Sequence, residues 1–273
     1  MQKNTEKIGR QPFIIWTVRR TGGTNLTTKL EKLSRFHCTE HEPFNVGRSY
    51  GHITTDWQER RNVEELSSAV GAELCDRPIL KHCVETVPWE VSAALASAST
   101  KAGYSHLFLY RRNAKARLLS LYFAQTTGMW GPKKEPETAM AAKQTVGDTQ
   151  SGTVGEMTLQ KALPVQELVR HEIHCVRLLS RAWRLLNATS STLEAVAFED
   201  LYGTGDVVSK MDPLMRVCGI DSNDFDEIQQ RAWIDDLTGR GEQGTRDLYE
   251  AFSGVSELSV ELQKVKPFSP RGL

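Results

Sequence analysis

Short apolar runs recur along the chain and are separated by longer segments with helical periodicity. Four of the runs are rich in β-branched and aromatic residues, which is typical of buried strands. They cover residues 12–18 (PFIIWTV), 77–83 (RPILKHC), 105–111 (SHLFLYR) and 193–199 (LEAVAFE). A further short strand is predicted near residues 36–39.

A period of 3.6 residues marks the helices between these runs. Leu26, Leu30 and Leu33 share one face of a helix that begins near Thr24, and residues 114–125 (AKARLLSLYFAQ) form another amphipathic segment. The longest periodic segment covers residues 165–187. Strands that alternate with helices predict an α/β fold in three layers, with a central, mainly parallel sheet flanked by helices.

One segment breaks this pattern. Residues 131–157 have little periodicity and are rich in Gly, Thr, Lys and Glu. Loops of this length are uncommon in compact domains, and those that occur are often lids or disordered inserts. We therefore expect one domain over residues 1–273, with a mobile lid or insert at 131–157.

Composition excludes several classes of protein. The 273 residues are 39% hydrophobic, so a folded core is expected. The 34 Lys and Arg residues balance 34 Asp and Glu residues, so the chain has no net charge that would attract nucleic acid or an anionic membrane. No run is long and apolar enough for a membrane span, and the amino terminus lacks the apolar core of a secretory signal. Five cysteines without CxxC spacing indicate reduced thiols. We expect a cytoplasmic protein with no structural metal.

The first predicted strand runs into TVRRTGGTNLTTKL, a basic turn rich in Gly and Thr that opens a helix. Gly22 and Gly23 allow backbone N–H groups to approach an anion, the helix start adds its dipole, and Arg20 and Thr24 add further donors. The pattern GxxxxGK[ST] is absent, so the turn is not a Walker A loop. The alternative is an ordinary turn in which the arginines are solvated.

A second basic strand end is formed by Arg111 and Arg112. Ser120 follows eight residues after Arg112, about two turns into the next helix, so its hydroxyl is expected to converge with a guanidinium at the strand end. Two anion sites at the carboxyl ends of parallel strands suit a nucleotide that carries two separate phosphate groups.

These segments resemble a known family. TVRRTGGTNL is similar to the 5′-phosphosulfate loop, and RRNAKARLLSLYFAQTTGMW to the 3′-phosphate motif, of sulfotransferases that use 3′-phosphoadenosine 5′-phosphosulfate (PAPS). The bacterial carbohydrate sulfotransferases of the trehalose and nodulation-factor type are the most similar. HEPFN at 41–45 and AFEDLYG at 197–203 resemble further family segments, so the resemblance covers about residues 13–220. It implies a P-loop NTPase-like sulfotransferase fold.

The resemblance also implies roles for individual residues. Arg112 and Ser120 would hold the 3′-phosphate, and a late basic loop would add Arg240 and Arg246. The 5′-phosphosulfate would be bound by Arg19, Arg20, Thr21, Gly22, Gly23, Thr24 and Asn25. Gly23 departs from the family pattern, which usually has Ser or Thr there, so Thr24 would carry more of the hydroxyl role.

The implied reaction is in-line attack of an acceptor hydroxyl on sulfur, with 3′-phosphoadenosine 5′-phosphate (PAP) as the leaving group. Arg20 would neutralise developing charge and no metal would be needed. Glu42 is the favoured general base and His82 the second candidate. The acceptor is expected to be a sugar or glycolipid, with a small natural product or an amine as second choice. The sequence carries no signal for the oligomeric state.

Two other functional classes remain open at this point. One is a nucleotide kinase with a degenerate P-loop, and the other is a nucleotide-binding module without catalysis. The absence of the Gly-Lys-Ser/Thr sequence counts against the kinase, and the glycine at position 23 leaves room for the non-catalytic module.

Overall fold

A computed structural model of the protein describes residues 9–38, 40–128, 130, 162–203, 206–221, 226–238 and 252–270. These residues belong to two compact units. The first unit contains Met1–Arg112, Ile173–Gly239 and Pro267–Leu273, and the second contains Asn113–Glu172 and Arg240–Lys266. The segment 131–157 lies outside the described residues, so the expectation of one domain with a lid there stays a prediction.

The first unit is built on a four-stranded sheet. Its strands are β1 (Phe13–Thr17), β2 (Leu80–Cys83), β3 (Ser105–Tyr110) and β4 (Leu193–Ala197). All pairings are parallel, and the strand order is β2-β1-β3-β4. The four predicted strands are therefore confirmed, each within slightly shorter bounds. Near residues 36–39, where a further short strand was predicted, Cys38 makes an isolated parallel bridge with Ile79.

The helices, in chain order, are α1 (Gly23–Glu31), α2 (Gly51–Arg60), α3 (Val63–Glu73), α4 (Trp89–Lys101), α5 (Ala114–Thr127), α6 (Val165–Asn187), α7 (Phe198–Tyr202), α8 (Val207–Cys218), α9 (Glu227–Thr238) and α10 (Val255–Leu262). The three helices predicted from periodicity correspond to α1, α5 and α6. Over the described ranges, no helix has both the length and the apolar character required to cross a bilayer.

Both faces of the sheet are buried. On one face, Ile14, Trp16 and Phe108 pack in a cluster with apolar side chains of α2, α3, α4 and the second half of α6. On the other face, Phe13 and Ile15 join a cluster with α1, α8 and α9. Because strands covered on both sides need apolar residues at every position, they appear in the sequence as continuous apolar runs. The first unit is thus a three-layer α/β structure with a parallel central sheet.

The second unit has its own helical core. Side chains of α5, α10 and the first half of α6 form one buried cluster, which includes Leu118, Leu168 and Leu258. Arg117 of α5 and Glu172 of α6 form an ion pair within this unit, and both side chains are almost completely buried. A buried charge pair of this kind tolerates loss of either partner poorly.

Candidate functional site

The loop after β1 contains two residues with positive φ, a backbone conformation that residues other than glycine rarely adopt. Arg20 has φ 68° and Gly22 has φ 79°, both in the left-handed region. A Cβ atom on Gly22 would lie 3.1 Å from ring carbons of both Phe198 and Tyr202. Gly22 is therefore needed for its conformation and for the close approach of two aromatic rings.

Threonine side chains fix the shape of this loop. The Thr21 hydroxyl donates to the Val18 carbonyl oxygen at 2.7 Å and is in short contact with the Thr17 hydroxyl. The Thr17 hydroxyl donates in turn to the carbonyl oxygen of Leu109 on β3, at 2.8 Å. Both threonine residues are almost completely buried. Within the predicted anion loop, the Thr21 side chain therefore stabilises the turn itself.

The start of α1 has no side-chain cap among the described residues. Gly22 occupies the N-cap position and its carbonyl oxygen accepts the first helical bond, from the Leu26 amide at 3.1 Å. The amides at the start of a helix have no partner within the helix and lie at its positive end. The predicted residues Gly23 and Thr24 thus present a helix start of the kind that binds phosphate or sulfate.

Asn25, which was predicted to contact the donor, has its side chain directed elsewhere. Its Nδ2 atom donates to the carbonyl oxygen of Leu237 at 2.9 Å and to the Tyr202 hydroxyl at 3.4 Å. Tyr202 also donates to the Gly22 carbonyl oxygen, at 3.3 Å. The Asn25 side chain therefore ties α1 to α9 and to the aromatic residues behind the loop.

An ion pair with a buried lysine lies beside this helix start. The Lys81 Nζ atom is 2.6 Å from Glu42 Oε1 and donates to the Thr24 hydroxyl at 3.0 Å. The other oxygen of Glu42 accepts from the Asn45 side chain at 2.9 Å, and the Cys83 thiol donates to Oε1 at 3.3 Å. The structure thus brings the favoured base, Glu42, close to the predicted anion-binding residue Thr24, with Lys81 between them.

The surroundings of Glu42 set its charge. Burial acts to raise the pKa of its carboxyl, but the Lys81 charge and the hydrogen bonds from Lys81, Cys83 and Asn45 outweigh burial and lower the pKa below its usual value. Glu42 is therefore a carboxylate at neutral pH, which is the form that accepts a proton.

His82, the second candidate base, lies on the opposite face of β2 from Lys81. Its Nε2 atom is 2.9 Å from the Ser92 hydroxyl of α4, and its ring makes an edge contact with Trp16 at 5.1 Å. The residue is 2% exposed. Burial lowers the pKa of His82 to about 4, against a smaller opposing effect of the Glu42 charge. His82 is thus a neutral core residue on the α4 side of the sheet.

Two arginine side chains support the loop from its flanks. Glu85 Oε1 accepts from the Arg19 amide at 2.7 Å and from Arg19 Nε at 3.2 Å. Arg111, at the end of β3, donates to the Arg20 carbonyl oxygen at 3.2 Å and lies over the Phe198 ring at 4.4 Å. Arg111 therefore braces the loop through its backbone.

Arg112, the residue predicted to bind the 3′-phosphate, turns to α7. Its guanidinium donates to Asp200 Oδ2 at 3.0 Å, and its amide donates to Glu199 Oε2 at 3.0 Å. The side chain is 52% exposed. The acidic residues of the FEDL segment thus pair with a strand-end arginine.

Three predicted site residues belong to other parts of the chain. Ser120 is a buried residue of α5 in the second unit, so its convergence with Arg112 stays a prediction. Arg240 and Arg246 lie outside the described residues.

Lys81 was not predicted from the sequence, although ILKHC carries a signal. The side chain of a lysine within an apolar strand lies on one of two buried faces. Its charge therefore needs a buried partner. That partner, Glu42, lies in a distant loop that pattern analysis does not connect to β2.

No protein-family model, curated protein or solved structure matches this chain.

Proposed function

We propose that this chain is a PAPS-dependent sulfotransferase that transfers a sulfuryl group to an acceptor hydroxyl, with a sugar or glycolipid favoured. One observation carries the proposal: Lys81 contacts both Thr24, at the start of α1 that no described side chain caps, and the ionised carboxylate of Glu42. Sulfuryl transfer needs donors for the oxygen atoms of an anionic group and a base for the acceptor proton. The parallel sheet flanked by helices supports the sulfotransferase fold implied by the motifs.

The donor would bind along the carboxyl edge of the sheet. The first amides of α1, with Arg19, Arg20 and Thr24, would contact the 5′-phosphosulfate. Arg112, at the end of the neighbouring strand β3, would exchange Asp200 for the 3′-phosphate of the nucleotide. Ligands of open α/β sheets bind at this edge.

The chemical step would be an in-line displacement at sulfur. A bond forms between the acceptor oxygen and sulfur, and the bond between sulfur and the 5′-phosphate oxygen of PAP breaks. The acceptor proton moves to Glu42. The charge that develops on the leaving oxygen is stabilised by Arg20 and by the start of α1. These parts act by position and charge, so we expect no metal requirement.

The position of Glu42 favours it over His82 as the base. Glu42 adjoins the anion-binding helix start through Lys81, whereas the His82 ring contacts Ser92 and Trp16 on the other side of the sheet. A base has to reach the proton that it accepts, directly or through one water.

Calorimetric titration with PAP and with ATP tests the donor assignment. We expect PAP to bind without Mg²⁺ and more tightly than ATP. Arg20→Ala should weaken PAP binding by about tenfold or more, because a hydrogen bond to a charged group contributes about 1.5–3 kcal/mol. Arg35→Ala, which removes an exposed arginine elsewhere, is the matched control and should bind PAP normally.

The competing functions give different results in the same experiment. Tight ATP binding that depends on Mg²⁺, without PAP binding, would overturn the proposal in favour of a kinase. PAP binding without transfer from labelled PAPS to any sugar, phenol or amine would indicate a non-catalytic nucleotide-binding module.

A further inference from the structure

Lys81 joins three separate parts of the site. It belongs to β2, its ammonium group contacts the Glu42 carboxylate in the loop before α2, and it donates to the Thr24 hydroxyl in the first turn of α1. Its side chain is only 7% exposed. A buried ammonium group with these two partners favours one arrangement of them, because moving Glu42 leaves a buried charge without compensation and moving Thr24 costs a hydrogen bond to a charged group.

Gly23 provides the space that Lys81 occupies. A Cβ atom at position 23 would lie 3.2 Å from Lys81 Cδ and 3.3 Å from Thr17 Cγ2, both closer than ordinary van der Waals contact. Gly23 is not among the glycines with positive φ, so its backbone would accept another residue. The requirement for glycine at this position is therefore one of space, and the Lys81 stem and the Thr17 methyl group share that space.

We propose that Lys81 is a positioning residue of the sulfuryl-transfer site, which holds the base Glu42 against the donor-binding start of α1, and that position 23 is glycine to admit it. This inference rests on the proposed function. It gives a physical reason why position 23 is glycine and not the Ser or Thr of the sulfotransferase motif. The Lys81 ammonium group, from the neighbouring strand β2, takes the place of the missing hydroxyl.

The charged and titratable groups around Glu42 define what a test must separate. Lys81 and Cys83 contact it from β2, and the His41 and His82 rings interact with it electrostatically. Lys81 is the strongest of the influences that favour the carboxylate form. Removal of this charge should therefore make Glu42 easier to protonate. Unfolding would also return the Glu42 pKa to its ordinary value, so the titration is compared only in variants that fold.

The experiment compares Lys81→Met with the wild-type chain in two assays. The first is carboxyl NMR titration of Glu42, where we expect a higher pKa in the variant. The second is PAP release from PAPS with water as the acceptor. We expect kcat/KM to fall by about 10- to 100-fold, because a charge-assisted contact is lost. The acid limb of its pH profile should move to higher pH, because Glu42 in the variant is protonated at a higher pH than in the wild-type chain. Lys81→Arg, which keeps the charge, should restore part of the low Glu42 pKa and part of kcat/KM.

Gly23→Ala tests the same role while Lys81 is retained. Its new methyl group should displace the lysine stem and shift the Glu42 titration in the same direction. The double variant should have the same Glu42 pKa and kcat/KM as Lys81→Met alone, because both substitutions remove the same contact between Lys81 and Glu42. Lys29→Met and Gly71→Ala are matched controls, since Lys29 pairs with Asp236 on α9 and Gly71 has open space around it.

The outcomes separate this inference from the proposed function. An unchanged Glu42 titration in Lys81→Met and Gly23→Ala, with PAP binding intact, would overturn the role of Lys81 alone. Failure of the wild-type chain to bind either PAP or PAPS would overturn the proposed function and this role with it. If Lys81→Met fails to fold, Gly23→Ala still decides the question.

Discussion

At the scale of single residues, Glu42 shows how the chain holds a carboxylate in place. Its φ of 59° lies in the left-handed region, which costs a residue with a side chain about 1 kcal/mol or more. The Glu42 amide donates to the Lys81 carbonyl oxygen at 3.0 Å, and its side chain is held by Lys81 and Asn45. The backbone strain is thus offset by contacts at both ends of the residue.

Glu42→Gln keeps the shape of this side chain and removes its charge. We expect transfer from PAPS to fall by about 100-fold or more, the usual contribution of a general base, while PAP affinity changes by about twofold at most. PAP release and calorimetry measure the two effects. Glu40→Gln is the matched control, because its carboxylate contacts Ser49 and Arg48 at the surface. Normal turnover in Glu42→Gln would exclude Glu42 as the base.

At the scale of elements, the unit formed by β1, the loop and α1 depends on the aromatic residues of α7. Phe198 and Tyr202 lie against Gly22, with ring centroids 4.5 Å apart, and Arg111 covers Phe198. One side of the loop is therefore packed against aromatic side chains, which limit its movement; we call them the aromatic wall. A rigid loop presents its amides to an anion without further ordering.

Gly22→Ala should disturb this wall and the loop together. The left-handed φ alone costs about 1–2 kcal/mol for alanine, and the contacts at 3.1 Å add to it, so we expect about 2 kcal/mol or more of lost stability and weaker PAP binding. Urea unfolding and calorimetry measure these effects. Gly47→Ala has a similar φ of 83° in open space and isolates the conformational cost. Equal effects of the two substitutions would show that the aromatic wall is unimportant.

Elements differ in how far the sequence predicts them. The strands are predictable because burial on both faces makes them apolar throughout, and α6 because its period is sustained. Helix α4 carries a weaker signal, since the side chains that it buries include Ser92, Ala96 and Ser99. The motifs likewise predict an anion-binding loop after β1. The Lys81–Glu42 pair and the contact of Arg111 with the Arg20 backbone depend on tertiary packing between distant segments, which the motifs do not reveal.

At the scale of the whole molecule, stability depends on two imidazoles buried in one face of the sheet. Trp16 Nε1 donates to His106 Nδ1 at 3.1 Å, and the Trp16 ring contacts His82. Burial lowers the pKa of both His82 and His106 to about 4. Each imidazole is therefore neutral in the folded protein under conditions where the unfolded chain begins to protonate it.

The fold should lose stability as the pH falls from about 6.5 to about 4. In this window the unfolded chain binds more protons than the folded chain, so the free energy of unfolding rises with pH, by roughly 3 kcal/mol for each histidine across the window. Urea unfolding between about pH 4.5 and about pH 7.5 measures the slope.

His106→Asn should reduce that slope, because one buried imidazole no longer titrates while the Asn side-chain oxygen still accepts from Trp16. His52→Asn, at an exposed position of α2, is the control for the substitution itself. An unaltered slope in His106→Asn would show that other groups govern acid unfolding.

The cations at the carboxyl edge of the sheet already have counter-ions within the same chain. Arg19 faces Glu85, Lys81 faces Glu42, and Arg112 faces Asp200. A small monovalent anion gains little by entering, because it can replace only one internal carboxylate and still loses its hydration. A ligand with several charges on a rigid frame replaces more than one at once. If the proposed function holds, these ion pairs would therefore favour a ligand with several negative charges over chloride and other simple salts.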